Sequence, residues 1–164
     1  MSYSDTLRQR KDDALKDVKT KPGEALKTAL KDLPVRDKNV GKKPEKKKEK
    51  GSDEEAYKKA KVQFEKDSAA ARDAAAECVL TVLTSIESAK LAGAIKELSD
   101  EERDTLIKFI YRGFSERSDV EEKGVIKKKA TYDCNILLKA HEEIIKLAGG
   151  NGPIIRTIHT RLEV

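Results

Sequence analysis

The chain has 164 residues, 37% of them hydrophobic, 40% charged and only 4% aromatic, with no Trp and a net charge of +5. That length suits one domain whose core must be built from Leu, Ile, Val and Ala, which favours helices over a sandwich or barrel drawing on aromatic and β-branched strands. No run approaches the ~18 apolar residues of a membrane span and the amino terminus has no apolar signal region, so the expectation is a soluble, intracellular protein.

Near the start, Leu7, Ala14, Leu15 and Val18 offer one weak stripe for a short helix. A clearer helix is predicted from about Pro22 to Leu33: proline is tolerated in a first turn, Ala25, Leu26, Ala29, Leu30 and Leu33 share a face, and Pro34 ends it. From Val35 to Gly51 almost nothing is apolar. Arg36–Lys50 holds eight basic residues against three acidic ones, an excess of five, so the rest of the chain is neutral. With Gly41, Pro44 and Gly51 interrupting it, this stretch reads as a disordered basic linker, unable to bury enough apolar area to offset the entropy of ordering.

Ser52-Asp-Glu-Glu55 has the capping-box spacing that opens a helix, which either runs through Ala56, Ala60 and Phe64 into the alanine-rich stretch Ala69–Ala76 or breaks near Asp67-Ser68. Beyond it Cys78, Val79, Leu80, Val82, Leu83 and Ile86 cover most of the helix circumference, which places this segment at the centre of the domain. Ser88 can cap a short helix carrying Leu91, Ala94, Ile95 and Leu98. Ser99-Asp-Glu-Glu102 is a second capping box, opening a helix with Leu106, Ile107, Ile110 and Tyr111 inward and Gly113 as its left-handed cap.

Ser115–Ala130 is polar and charged and reads as a loop. Thr131 or Asp133 starts the next helix, with Leu137, His141, Ile144, Ile145 and Ala148 along one side. Gly149-Gly150 stop it, Asn151-Gly152-Pro153 restart, and Ile154, Ile155, Ile158 and Leu162 face the core. Leu26–Leu33 and Leu91–Leu98 share the pattern L-x-x-A-[L/I]-K-[D/E]-L, which either a structural repeat or two ordinary amphipathic helices produce. The expected fold is all-α, six to seven short helices in an α-superhelical or orthogonal bundle. It divides into an N-terminal arm and first helix (1–34), the basic linker (35–51) and a helical core (52–164).

No residue set has the spacing of a catalytic or metal site, so no enzyme activity and no cofactor are expected. Structural zinc sites bring ligands in close pairs, whereas His141 and His159 are eighteen residues apart and Cys78 and Cys134 fifty-six. His141 reads as a core-flanking ring bonded to a backbone carbonyl, His159 as exposed, and both cysteines as small buried hydrophobes. Gly149–Pro153 lacks phosphate-loop spacing and reads as a helix–helix turn. The acidic clusters Asp53–Glu55 and Asp100–Glu102 stand at helix starts, where carboxylates complement the macrodipole. Lys42–Lys50 carries no aromatics or arginines for base stacking, so any nucleic-acid binding through it is expected to be weak and salt-sensitive.

Three blocks, Cys78–Ser85, Thr105–Phe114 and Leu137–Glu143 followed by Ala148-Gly-Gly150 and Pro153–Arg156, resemble in order and spacing the subunit 5 family of the actin-related protein 2/3 complex. The likeness covers about 110 of the 164 residues, with Ala25–Pro34 matching the family's first core helix. It implies a non-catalytic, all-helical scaffold subunit of an assembly that nucleates branched actin filaments in the cytoskeleton. Its implied partners are the β-propeller subunit and a core scaffold subunit, with an amino-terminal arm reaching actin-related protein 2. The arm here, Met1 to about Asp17, is short and of mixed charge. The lysine tract with the helix after it to about Lys66, and part of Ser118–Ala130, look like insertions. Within the matched motifs Phe109, Tyr111, Arg112, Phe114 and Arg156 are the candidate interface residues, since Tyr and Arg most often anchor interfaces. The competing reading is a basic helical adaptor that binds nucleic acid or acidic surfaces through Arg36–Lys50.

Overall fold

The computed structural model describes residues 3–33, 44, 54–122 and 125–160. Seven helices carry the described fold: α1 (Tyr3–Asp17), α2 (Pro22–Leu30), α3 (Glu54–Ser85), α4 (Ser88–Lys96), α5 (Asp100–Ser115), α6 (Cys134–Leu147) and α7 (Gly152–His159). The class is all-α. One antiparallel hairpin, β1 (Arg117–Glu122) with β2 (Val125–Ala130), interrupts the helices between α5 and α6. The tract Arg36–Lys50 lies, apart from Pro44, outside the described residues.

The helix ends follow the sequence signals where those signals are local. Ser99 Oγ accepts from Glu102 N at 3.3 Å while Ser99 N donates to a Glu102 carboxylate oxygen at 2.8 Å, a complete capping box at the start of α5. Asp133 caps α6 by accepting from Asn135 N at 2.9 Å. At the other end of α6 the N–H groups of Gly149 and Gly150 donate to Lys146 O and Ile145 O at 3.1 and 3.3 Å. The two glycines have φ of 67° and 153°, so this is a Schellman stop that a side chain would strain. α2 begins on Pro22 as expected but ends three residues earlier than Leu33. Asp32 turns left-handed at φ 59° and Arg10 of α1 donates to Lys31 O and to Asp32 Oδ2, so a tertiary contact decides that boundary.

Four expectations are corrected. The helices are not all short: α3 runs 32 residues without a break at Asp67-Ser68, where Gln63 Nε2 donates to Asp67 Oδ1 at 2.8 Å along the helix. Ser115–Ala130 is not a loop throughout, because Thr131 N donates to Glu116 O at 3.4 Å and the two strands above pair from Arg117↔Ala130 to Glu122↔Val125. The cap of α4 is Glu87, with Ser88 already helical. Gly113 is not a terminator: α5 continues to Ser115, and a Cβ on Gly113 would stand 2.9 Å from Leu80 Cδ2 and 3.0 Å from Leu137 Cδ1. The missing side chain is what lets α5 approach α3 and α6 together.

One continuous core is built from α1 to α6. Leu7, Ala14 and Val18 of the α1 region, Ala25, Leu26, Ala29 and Leu30 of α2, and Cys78, Val79, Leu80, Val82, Leu83 and Ile86 at the centre all join it. No polar or charged side chain among the described residues is buried. Both copies of the shared eight-residue pattern turn the same positions inward, Leu26, Ala29 and Leu30 in one and Leu91, Ala94 and Ile95 in the other, and their helices touch. Only the second half of α3 is inside, from Ala71 onward. The first half extends roughly 25 Å further at 1.5 Å per residue, laced by Lys58–Glu54 and Lys61–Glu65 pairs at i,i+4.

Candidate functional site

The five residues marked by sequence do not form one patch. Phe109 is wholly inside the core and Phe114 packs half-buried against it. Tyr111 is 37% exposed. Its hydroxyl lies 3.1 Å from His141 Nε2 with the rings tilted at 54°, so His141 meets a tyrosine and not the backbone carbonyl expected of it. Arg112 points to α3: Nη1 donates to Arg72 O at 3.2 Å, Nε to Glu116 Oε1 at 3.1 Å, and Nη2 to Asp73. Arg112 therefore joins α5 to α3 just below the hairpin.

Arg156 is likewise engaged within the chain. Nε donates to Asp104 Oδ2 at 2.6 Å and Nη2 to Asp104 Oδ1 at 2.9 Å, which ties α7 to α5 and raises the guanidinium pKa. Arg103, the residue before Asp104, ties α5 to the end of α4: its Nε and Nη2 donate to Ile95 O and Lys96 O at 3.3 and 3.2 Å.

The expectation that Ile155 and Ile158 face the core is overturned. They are 55% and 72% exposed, no residue of α7 joins the core, and Pro153 is the buried residue of that helix. Pro153, Ile154 and Thr157 share the inward side at 100° per residue, and the Arg156–Asp104 pair fixes that rotation. Leu138 on α6, 57% exposed, adds to the uncovered apolar surface. Sequence periodicity alone could not find this face, because the isoleucines of α7 lie on both of its sides.

The remaining chemistry is sparse. Burial pushes the Cys78 thiol up to about 11, away from nucleophilic use at neutral pH, and Cys134 is half-buried at the start of α6. Burial, then the nearby Glu116 and Glu77, push Tyr132 up to about 12. Among the described residues no cluster of His, Cys, Asp and Glu is placed to hold a metal ion, and no helix is long and apolar enough to cross a membrane.

The chain matches the family described as ARP2/3 complex 16 kDa subunit (p16-Arc) over residues 9–164. It is 32% identical over 94 residues to "Actin-related protein 2/3 complex subunit 5-C" of Xenopus laevis, an alignment covering 57% of this chain and 54% of the frog protein. It is 40% identical over 48 residues to "Actin-related protein 2/3 complex subunit 5" of Saccharomyces cerevisiae, covering 29% of this chain and 31% of the yeast protein. The matched part thus spans about half or less of each of these relatives. With the match reaching from α1 to the last residue, this chain belongs to the ARP2/3 complex 16 kDa subunit family.

Proposed function

We propose that the chain is a non-catalytic scaffold subunit of the actin-nucleating ARP2/3 complex, acting in the cytoplasm at the cytoskeleton and supporting branched-filament assembly through protein contacts alone. The family match carries this reading. The outward face of α7 supports it, because Ile155 and Ile158 stand in solvent at 55% and 72% exposure in the isolated chain and gain stability when a neighbour covers them. The partners are the β-propeller subunit and a core scaffold subunit for the helical body, and actin-related protein 2 for the amino-terminal segment.

A tagged chain expressed in its native cell is expected to recover the actin-related proteins on affinity purification. Ile155→Asp with Ile158→Asp should abolish recovery while leaving circular dichroism unchanged, since both positions are exposed. Deleting Arg36–Lys50 should leave recovery intact. Purification of the wild-type chain without any actin-related protein, or loss of recovery from the tract deletion alone, overturns the scaffold reading.

A further inference from the structure

The outer half of α3 has two unlike sides. Tyr57 and Phe64, seven residues apart, lie within about 20° of one another and continue the face that Ala71 and Ala75 turn inward. Val62 stands about 140° round the helix from Tyr57. No residue from Glu54 to Ala70 joins the core, so an uncovered helix would leave all three side chains in water. Instead Val62 is 50% exposed while Tyr57 and Phe64 are half-buried.

Across from the two rings stands Pro44, itself half-buried, which with Tyr57, Phe64, Ser68 and Arg72 lines a hollow of about 180 Å3. Every other residue between Gly41 and Gly51 is Lys or Glu, so in this stretch Pro44 is the side chain that can leave water without desolvating a charge. Its ring also brings a fixed φ and no N–H donor to bury, the properties for which aromatic grooves take proline-bearing segments.

We infer that Pro44 is a clasp, docked on Tyr57 and Phe64, that holds the outer half of α3 and ties the basic tract to it. The helix needs such support. Residues 54–70 touch no core and are laced mainly by i,i+4 ion pairs, and a helix of that length is marginal in water on its own. A fixed point at Pro44 also divides the twenty residues between Leu33 and Glu54 into tethers of ten and nine, which limits how far the tract can reach from α3. The clasp is a property of the isolated chain and does not depend on the subunit reading above.

The test uses the full-length chain alone. Nuclear Overhauser contacts are expected between the ring protons of Pro44 and those of Tyr57 and Phe64, with the Pro44 signals upfield of their positions in a free peptide spanning residues 38–50. Pro44→Ala, which leaves the helix sequence untouched, should speed amide exchange across residues 54–66 roughly threefold or more while Cys78–Ile86 keep the wild-type rate. Phe64→Ala should do the same although alanine is the better helix former, and the double variant should exchange no faster than either single one, because both break one contact. Val62→Ala, on the opposite side, should not speed exchange. Absent ring contacts, wild-type exchange in Pro44→Ala, or accelerations that simply multiply in the double variant each overturn the clasp, and membership of the complex stands in every case.

Discussion

Arg156 grips Asp104 through two parallel hydrogen bonds, at 2.6 and 2.9 Å, and this pair fixes which way α7 faces. α7 has eight residues and adds no side chain to the core, so little else opposes its rotation or release. Asp104→Ala is therefore expected to leave global stability unchanged in urea unfolding while speeding amide exchange across α7 at least tenfold. Exchange in α7 that stays at the wild-type rate would show that Pro153 and Ile154 hold the helix without the ion pair.

Two glycines in helices should respond to alanine with opposite signs. Gly93 in α4 has nothing within 4 Å of a built Cβ, so Gly93→Ala gains helix propensity alone and should stabilise by about 0.5–1 kcal/mol. Gly113 gains the same propensity, but its Cβ meets leucine methyl groups of α3 and α6 at 2.9 and 3.0 Å. Over-packing of this kind costs about 1–3 kcal/mol, so Gly113→Ala should be net destabilising by roughly 1 kcal/mol. Urea midpoints of the two variants decide it; a stabilised Gly113→Ala would mean that Leu80 and Leu137 swing away without cost.

What the sequence made legible was local. A capping box needs only Ser99 and Glu102, and a Schellman stop only two glycines, so both were readable before any tertiary contact was known. The all-round apolar run from Cys78 to Ile86 likewise announced the central helix. Gly113 was misread because an αL cap and a close helix approach both ask for glycine, and only Leu80 and Leu137 distinguish them. The hairpin was missed because strand register requires a partner strand. The interface candidates fared unevenly for a related reason: Arg112 and Arg156 were singled out by residue type, and their carboxylate partners Asp73 and Asp104 lie 39 and 52 residues away in sequence. Membership of the family, by contrast, rested on ordered blocks of core residues and needed no side-chain partner.

Stability should fall on the alkaline side. Cys78 and Tyr132 hold their protons more tightly folded than unfolded, with values raised from 9.0 to about 11 and from 10.0 to about 12. Their contribution is therefore complete below pH 9, begins to be lost as the unfolded chain deprotonates first, and is gone once pH passes the folded values. A single fully buried group gives at most about 1.4 kcal/mol per pH unit; Cys78 is buried and Tyr132 only half-buried, so the expected total is on the order of 2 kcal/mol by pH 10.5. Urea midpoints at pH 8 and 10.5 measure the slope, and Cys78→Ala should flatten it. An identical slope in that variant would place the alkaline loss elsewhere.

Cutting the chain within the basic tract should not separate its two sides. Leu7, Leu26 and Leu30 of the α1–α2 pair are buried against the same cluster as Leu80, Leu83 and Ile107. Burying a leucine stabilises by about 1.5–3 kcal/mol, so these three alone amount to roughly 5–9 kcal/mol, comparable to the whole stability of an ordinary domain. Lys11 Nζ to Glu77 Oε1 at 2.6 Å and Lys90 Nζ to Lys19 O at 3.1 Å add cross-links between the same parts. A single engineered protease site at Gly41 is therefore expected to give two fragments that co-elute on size exclusion and melt together. Residues 52–164 expressed alone should lose cooperative unfolding, because the faces of α3 and α4 that α1 and α2 cover would be left in water. A 52–164 fragment with a sharp thermal transition near that of the intact chain would show instead that the arm and first helix are an accessory to an independent core.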